Sequence, residues 1–360
     1  MPDAPSSVTT ATPTDASGIT VDPRTIVTSD PFNCESALDV QVGSLTPTAL
    51  HFVRSSHPVP QIDVASWRLR VEGNSARQDV ELTYQDLLAM PARSQVTWLE
   101  CAGNGRAFFE SVQDQPVDEG QLPWGPFAAG NAEWTGVSLA DVLDLAGVIH
   151  SALEVHIEGL DEGKRGRPIP LDVARRPTTI LAYAMNGVPL TGDHGYPLRA
   201  IVPGWIGMNS VKWVGKVVIS STPVKVPTNT TTYVLDGPDH PGTPALTTQP
   251  VKSVVALPWD TKLSAQPTAV RGFAWSGSGP VARVEVSLDG GTSWQDARLA
   301  EPAGPLAWTP WEFAWTPAPG RHTIRTRATD AAGNSQPDEV TWNRLGYLYN
   351  AVVAHPVEVA

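Results

Sequence analysis

The sequence has 360 residues, of which 41% are hydrophobic and 17% are charged, and its net charge is −12. This length and apolar content can support two domains with cores of ordinary size. The acidic balance argues against nucleic acid and anionic membranes as partners, and no apolar run reaches the length of a membrane span. The abundance of proline and glycine without a short repeat is typical of a loop-rich, β-containing protein.

The first 21 residues are rich in Ser, Thr, Pro, Ala and Asp, and this composition predicts a flexible N-terminal arm over residues 1–21. The arm lacks the basic and apolar regions of a secretory signal. We therefore expect a cytoplasmic protein, or a periplasmic one if an export signal was removed. The two cysteines, Cys34 and Cys101, are too few for a disulfide framework.

Short strands and capped helices follow one another along the next two hundred residues, without a regular β-α-β alternation. Ile62–Val71 alternates like a half-buried strand, and the apolar run Val96–Leu99 predicts a short buried one. Capping residues at Thr83 and Ser138 open two short helices. Further strands are expected over Leu153–Glu158, Thr178–Ala184 and Val211–Ile219. This mixture predicts an α+β domain.

From about residue 250, short strands separated by turn signals recur at the spacing of a β-sandwich of immunoglobulin-like size. They are predicted over Val251–Leu257, Thr268–Trp275, Ala282–Leu288, Trp311–Thr316, Arg321–Thr329 and Glu339–Trp342. Nothing in this part indicates chemistry, so we expect it to serve packing and association.

The stretch from Trp98 to Arg106 has the strongest chemical character. An apolar strand ends at Cys101, and Gly-Asn-Gly then allows a tight turn that brings backbone close to a ligand. A thiolate is a soft metal ligand, and Arg106 can clamp an anion. A buried core cysteine is the alternative. No dinucleotide, P-loop or closely spaced metal-ligand motif is present.

An ordered set of segments, from about residue 30 to the end, resembles the sulfite oxidase family of molybdenum enzymes. The segments are HFVRSSHPVP, WLECAGNGR, LPWGPF, GLDEG, DHGYPLR, VPGWIGMNSVKW, RGFAWSG, VEVSLDGG and WNRLG. The resemblance implies a molybdenum-cofactor domain over residues 22–248 and an immunoglobulin-like dimerisation domain over residues 249–360. It also implies a homodimer.

The resemblance assigns the cofactor, molybdenum with one pyranopterin, and makes Cys101 the metal ligand. It places the cofactor-binding residues at Phe52, Val53, Arg54, Ser55, Ser56, Cys101, Asp161, His194, Arg199, Ser210, Val211 and Lys212. It gives catalytic or substrate-facing positions to Arg54, Arg106, Trp124 and Tyr233. By residue type alone, Arg54 could equally be a surface residue, Trp124 a hydrophobic plug and Tyr233 an ordinary loop aromatic.

Three departures from the family pattern bear on the substrate. Ser55-Ser56-His57 stands where many members read Arg-Asn-His, and Gly105 stands where sulfite oxidases usually carry another arginine. The family's WNLRG is WNRLG here, so an anion-binding arginine is absent or displaced by one residue, at Arg344 instead of Leu345. Fewer cations in the substrate pocket would weaken its affinity for a doubly charged anion.

The resemblance implies oxidation of sulfite, a small anion, to sulfate, with electrons passed to an external acceptor such as cytochrome c. No haem-carrying domain is expected in this chain. Two alternatives stay open: the same cofactor acting on nitrate or a sulfoxide, and a non-catalytic binding protein whose sandwich carries the function.

Overall fold

The computed structural model describes residues 24–40 and 44–360, so the arm predicted over residues 1–21 lies outside the described residues. Five α-helices, all short, connect the sheets in the described part. They are α1 (Tyr84–Ala89), α2 (Ala107–Ser111), α3 (Leu139–Ala146), α4 (Leu171–Ala174) and α5 (Pro227–Thr230). No helix in the described ranges is long and apolar enough to cross a membrane.

Twelve strands belong to the first domain of the described chain. They are β1 (Arg24–Ser29), β2 (Phe32–Ser36), β3 (Leu69–Glu72), β4 (Val80–Leu82), β5 (Ala92–Glu100), β6 (Ala129–Ser138), β7 (Glu154–Gly159), β8 (Gly166–Pro170), β9 (Ile180–Met185), β10 (Val188–Pro189), β11 (Arg199–Ile201) and β12 (Val214–Ser220). One sheet has the order β10-β9-β6-β5, with β11 also pairing with β9, and another has the order β4-β3-β12-β7-β8. The hairpin β1-β2 stands apart.

Nine further strands form a two-sheet sandwich. They are β13 (Lys252–Val255), β14 (Thr261–Leu263), β15 (Thr268–Trp275), β16 (Val281–Ser287), β17 (Gln295–Asp296), β18 (Arg298–Leu299), β19 (Thr309–Trp315), β20 (Gly320–Asp330) and β21 (Ala354–Val359). The sheets have the orders β13-β15-β19-β18 and β14-β21-β20-β16-β17. The predicted class, an α+β domain followed by a β-sandwich, is confirmed, with β-structure predominating.

The helices form where their capping residues lie. In α1, Thr83 and Asp86 make a reciprocal capping box. In α3, the Ser138 hydroxyl accepts a hydrogen bond from the Asp141 backbone, and Gly147 closes the helix at a φ of +67°. Four apolar residues of α3 recur at helical spacing and are buried, Leu139, Val142, Leu143 and Ala146, which packs this helix on the first-domain core.

Two sequence predictions differ from the observed strands, and the last strand of the sandwich was not predicted. Ile62–Val71 forms a strand only from Leu69, because residues 64–66 make a turn. Glu339–Trp342 is not a strand: this part of the chain leaves the sandwich and packs on the first domain. The last sandwich strand is β21 instead, which the sequence analysis missed.

The two domains share a hydrophobic core. Trp98 and Phe127 of the first domain pack in one cluster with Phe273, Trp275 and Trp308 of the sandwich. The connection between β20 and β21 also returns to the first domain, where Leu345 and Tyr347 join a cluster around Ala102. The sandwich therefore contributes directly to the surroundings of the Cys101 turn, beyond the packing and association expected of it.

Candidate active site: a cation-lined cavity at the Cys101 turn

The turn that carries Cys101 begins at the buried end of β5. The first residues of this strand are exposed and its last four are buried, so the strand leads into the interior. The Asn104 backbone N–H then donates to the Cys101 carbonyl (2.9 Å), and Gly105 has a φ of +84°. A left-handed residue is needed at this point, which a glycine supplies without strain.

A buried polar network fixes this turn against the sandwich. The Glu100 Oε1 atom lies 2.5 Å from the Lys252 Nζ atom and accepts a hydrogen bond from the Asn104 amide (2.8 Å). The other carboxylate oxygen accepts the Trp275 indole N–H (2.7 Å). Asn104 in turn accepts the Ala128 backbone N–H (3.0 Å). Both oxygens of the buried Glu100 carboxylate therefore have hydrogen-bond partners, and this network fixes the turn to the sandwich domain.

A cavity opens above the turn and encloses about 730 Å³ between atoms, part of it continuous with solvent. Twelve of the fifteen predicted site residues line it: Phe52, Arg54, Ser55, Ser56, Cys101, Asp161, His194, Arg199, Ser210, Val211, Lys212 and Tyr233. Residues from six separate segments therefore converge on one space, as the resemblance implied. Val53, Arg106 and Trp124 are the predicted residues that are not among its lining residues.

Cys101 is 7% exposed and reaches the cavity from the turn. Burial raises the pKa of its thiol, while the nearby Arg54 and Arg106 guanidinium groups act in the opposite direction. A buried thiol flanked by cations is the environment in which binding a metal ion would favour the thiolate. The structure therefore favours the metal-ligand interpretation over that of a core cysteine, since the side chain lines a cavity.

Arg199, which is buried, and Lys212, which is partly buried, line the cavity without a carboxylate partner in the described chain. The Arg199 Nε atom donates to the Ser210 carbonyl (3.2 Å), and the Lys212 amino group donates to the Ser55 hydroxyl (2.7 Å) and the Asp193 carbonyl (2.8 Å). Burial lowers the pKa of Arg199 to about 9 and that of Lys212 well below its usual range. Buried cations that have only neutral partners are costly, and an anionic ligand would offset that cost.

His194 lies beside these cations. It is 4% exposed, and its Nε2 atom lies 3.0 Å from the Thr48 carbonyl oxygen. Burial lowers the pKa of His194 well below its usual range. Its ring packs edge-on against that of His51 at 5.4 Å, and burial lowers the pKa of His51 to about 3. Both imidazoles are therefore neutral near pH 7, so their contribution is hydrogen bonding rather than charge.

The loop from Phe52 to Ser56 is shaped by the N-terminal hairpin. The backbone of Val53 pairs with Cys34 of β2 in both directions, and the Ser55 N–H donates to the side-chain oxygen of Asn33 (2.8 Å). The backbone of Val53 therefore holds the loop in place, and Val53 does not line the cavity. At the departure from the family pattern, His57 Nδ1 lies 3.1 Å from the Asp161 carboxylate, and the Arg165 backbone donates to that carboxylate.

Arg54 and Arg106, paired as anion clamps by the resemblance, have different surroundings. Arg54 lines the cavity and forms no hydrogen bond or ion pair with another residue of the described ranges. Arg106 instead donates from Nε to the Leu345 carbonyl and from Nη1 to the Leu122 carbonyl, both at 2.9 Å. Its guanidinium also lies 5.0 Å from the centre of the Tyr347 ring. Arg106 therefore supports the turn and adds positive potential at Cys101.

Trp124 is fully buried in the cluster that contains Cys101, and its indole N–H has no partner among the described residues. This position matches a hydrophobic plug beside the thiol. Glu35 holds the surrounding loop by accepting the backbone N–H groups of Gly125 (3.0 Å) and Phe127 (3.2 Å). Burial raises the pKa of Glu35 to about 7. A role for Trp124 in the substrate pocket stays a prediction.

Tyr233 lines the cavity, is 7% exposed, and has a φ of +52°, a conformation that is unfavourable for a bulky residue. Its ring stacks on Tyr347 at 5.3 Å with an interplanar angle of 18°. The sequence analysis missed Tyr347, because nothing in the pattern of the sandwich indicated that this segment returns to the site. It also missed Asn209, a fully buried amide between two lining residues, Met208 and Ser210, with both polar atoms unpartnered in the described chain.

The Arg344-Leu345 departure has a clear structural outcome. Arg344 is exposed and pairs with Asp236 (2.9 Å from Nε) and with Asp118, while Leu345 is 5% exposed in the cluster with Ala102 and Tyr233. The two residues lie in a turn closed by the Gly346 N–H donating to the Asn343 carbonyl (2.9 Å), and the one-residue shift places the cation on the exposed side of this turn. The cavity thus lacks a cation from this segment.

These residues fit a pterin-bound metal. The cavity combines one thiol with the cations Arg199 and Lys212, whose charge suits a phosphate.

Comparison with known proteins agrees with this arrangement. The sequence model of the oxidoreductase molybdopterin binding domain matches residues 56–227, and that of the Mo-co oxidoreductase dimerisation domain matches residues 243–359. The crystal structure of the sulfane dehydrogenase SoxCD from Paracoccus pantotrophus superposes with a TM-score of 0.83 at 27% identity. The match covers 91% of this chain and 86% of that one.

Among curated relatives, the sulfite oxidase of Gallus gallus is 37% identical, over 89% of this chain and 75% of its own length. The mitochondrial sulfite oxidase of Rattus norvegicus is 36% identical over 89% of this chain, which spans 63% of that relative's length. A nitrate reductase of Hordeum vulgare is 32% identical over 89% of this chain and 40% of its own length.

Proposed function

The chain belongs to the sulfite oxidase family of molybdopterin oxidoreductases, and from this membership and the cavity we propose that it oxidises sulfite to sulfate. Electrons pass to an external acceptor such as a cytochrome c. The observation that carries the proposal is the convergence of Cys101, Arg54 and Tyr233 on the same cavity as the cations Arg199 and Lys212.

The residues divide into two groups along the cavity. Cys101 would hold molybdenum through its sulfur, and Arg199, Lys212 and Ser55 would hold the pterin phosphate by charge-assisted hydrogen bonds. When bound, this group supplies two-electron oxygen-atom transfer. The neutral imidazole of His194 donates from Nε2 to the Thr48 carbonyl (3.0 Å), so its Nδ1 atom is left as an acceptor and the ring adds no charge.

Arg54 orients the substrate. Its guanidinium has no partner among the described residues and lies close enough to Cys101 to oppose the rise in the thiol pKa. It can therefore bind an oxyanion next to the sulfur and stabilise the charge of sulfate as it forms. The Tyr233 hydroxyl, on the same cavity wall, can donate a hydrogen bond to an oxygen of the substrate or product. Arg106 acts indirectly: its hydrogen bonds hold the turn in place, and its charge adds positive potential at Cys101.

The substitution Arg54→Gln tests this proposal. We expect it to raise the sulfite KM about tenfold or more, since one charge-assisted hydrogen bond is worth roughly 1.5–3 kcal/mol, and to leave bound molybdenum unchanged. Arg68→Gln, at an arginine that donates to the carbonyls of Ala65 and Trp67 near the surface, is the control. Equal KM values in the two variants would remove Arg54 from the substrate site.

Nitrate reduction is a second candidate, supported by the similarity to the nitrate reductase of Hordeum vulgare and by the unpaired guanidinium of Arg54 on the cavity, which suits a monoanion. Assays with artificial dyes in both redox directions, on sulfite, nitrate and a sulfoxide, distinguish the candidates. Nitrate-dependent oxidation of reduced dye that is faster than sulfite-dependent reduction of oxidised dye would replace the proposal.

A further inference from the structure

The thiol end of the cavity presents one available cation. Arg54 has no partner among the described residues, whereas Arg106 is committed to two carbonyls and to the Tyr347 ring. Arg344 is tied to Asp118 and Asp236 at the surface. Arg199 and Lys212 bond to Ser210, Ser55 and Asp193 around the phosphate end. Arg165, the remaining lining cation, belongs to the loop of Asp161, whose carboxylate accepts its backbone N–H (2.8 Å). Arg54 is therefore the available positive charge for a substrate bound beside Cys101.

The walls at this end are apolar. Phe52, Ala102 and Met208 line the cavity with Tyr233. Behind Ala102 and Tyr233, a hydrophobic cluster is completed by Leu345, the residue that stands where the family pattern has its arginine. Arg167, the next cation behind Tyr233, is held by the Leu246 carbonyl and does not line the cavity in the described chain. The pocket therefore offers apolar contact where a second guanidinium would otherwise lie.

Resting on the proposed function, we propose that the pocket is specific for organic sulfinates, R–SO₂⁻, in preference to the sulfite dianion. A sulfinate carries one negative charge, which matches Arg54, and an organic group, which matches the walls formed by Phe52, Ala102 and Met208. The second charge of sulfite would be left without a partner. A neutral sulfoxide would leave the guanidinium uncompensated.

The reaction is an oxidation at sulfur, as it is for sulfite, but one oxygen on the substrate sulfur is replaced by a carbon group. The sulfinate and water give a sulfonate, two protons and two electrons: R–SO₂⁻ + H₂O → R–SO₃⁻ + 2H⁺ + 2e⁻. The sulfur lone pair forms the new S–O bond, no S–C bond breaks, and the electrons leave to an external one-electron acceptor, for which ferricyanide serves in the assay.

The experiment measures kcat/KM of the holoenzyme for methanesulfinate and for sulfite, at a pH at which sulfite is mainly the dianion. We expect methanesulfinate to be preferred by about tenfold or more, the size of one charge-assisted interaction. A preference for sulfite would overturn the inference and leave the proposed function standing. Oxidation of neither compound by molybdenum-loaded enzyme would overturn both.

A variant that restores the family order, Arg344→Leu with Leu345→Arg, should shift the preference toward sulfite by a similar factor. Arg344→Leu alone, which removes only the surface ion pairs, should leave the preference unchanged. As a readout without turnover, methanesulfonate should raise the melting temperature of the wild-type holoenzyme more than sulfate does at equal concentration. The reverse order of protection would contradict the inference, and this measurement requires no variant to fold.

Discussion

Several cationic side chains around the cavity share one property: they lack a carboxylate partner. Arg54, Arg199 and Lys212 have no carboxylate partner in the described chain, although the whole molecule has a net charge of −12. A small anion must therefore be drawn in by a local cluster of cations against the general field. The lowered pKa values of Arg199 and Lys212 reflect the free-energy cost of keeping these groups charged away from water.

This cost predicts a pH dependence for anion binding by the cofactor-free protein. Sulfate, whose charge is constant across the range, binds the protonated cations and raises their pKa, so its protection should be greatest at low pH. Protection should decline as the pH rises through the lowered pKa values of these two cations, which for Arg199 is about 9. We expect sulfate to raise the melting temperature by on the order of 2 °C or more at about pH 6.5, and by less at about pH 9.5.

Lys212→Gln should remove most of this protection. Lys216→Gln is the matched control, because Lys216 lies on β12 outside the cavity and pairs with Glu72 at 2.8 Å. Protection by sulfate that is unaffected by Lys212→Gln, or that grows with pH, would show that these cations do not form the anion site.

At the level of single residues, the sequence predicted residue types better than their orientations. The family pattern placed twelve of fifteen residues on the cavity. It could not show that the Arg106 guanidinium donates hydrogen bonds to the carbonyls of Leu345 and Leu122, because those partners belong to other segments of the chain. Tyr347 was missed for the same reason: a contact with Tyr233 depends on how the chain returns, which local pattern does not encode.

Among the elements, the turn after β5 depends on the buried pair of Glu100 and Lys252 as well as on its own glycines. The carboxylate is 1% exposed and bonds to Lys252, Asn104 and Trp275 together. Removal of one member leaves a buried charge or donor without its partner, the situation in which a buried pair matters most. The position of Cys101 is thus set by residues of both domains.

Lys252→Met should therefore lower the free energy of unfolding by about 3–5 kcal/mol and reduce the molybdenum content. Denaturant unfolding and metal analysis check the two effects. Lys262→Met is the control, since Lys262 is exposed and its Nζ atom lies 3.8 Å from Glu358, so its loss should cost less than about 1 kcal/mol. Equal destabilisation by the two substitutions would mean that the network does not fix the turn.

Elements defined by local chemistry were predicted well. The capping residues of α1 and α3, Thr83 and Ser138, and the extent of β15 over Thr268–Trp275 each follow from neighbouring residues. The strand expected at Glu339–Trp342 was wrong, because the apolar residues there pack on Phe108 and Phe109 of the first domain. Apolar pattern shows that a segment is buried, but not against which partner.

Over the whole molecule, the two domains act as one packed body around the site. They share the cluster of Trp98, Phe127 and the sandwich tryptophans, and the segment at Leu345–Tyr347 lines the back of the substrate end. The boundary predicted between residues 248 and 249 separates two parts that each have a hydrophobic core of their own and that meet in a third, shared cluster.

The match of the sandwich to a dimerisation domain leads us to propose a homodimer. Sedimentation equilibrium of the full chain should give twice its mass of 38.4 kDa, with no monomer at micromolar concentration because obligate interfaces of this kind are large. A single species at the monomer mass, in protein with a full complement of molybdenum, would contradict the proposal.

The central claim is that the Cys101 sulfur, on its buried turn, holds molybdenum in the cavity. The most direct measurement is molybdenum per chain in wild type, in Cys101→Ser and in Cys34→Ala, all made in the same cofactor-competent host, with melting curves to confirm folding. Cys34 is the control because it contacts the loop through its backbone. We predict close to one molybdenum per chain in wild type and Cys34→Ala and a large loss in folded Cys101→Ser; unchanged molybdenum in Cys101→Ser would contradict the account.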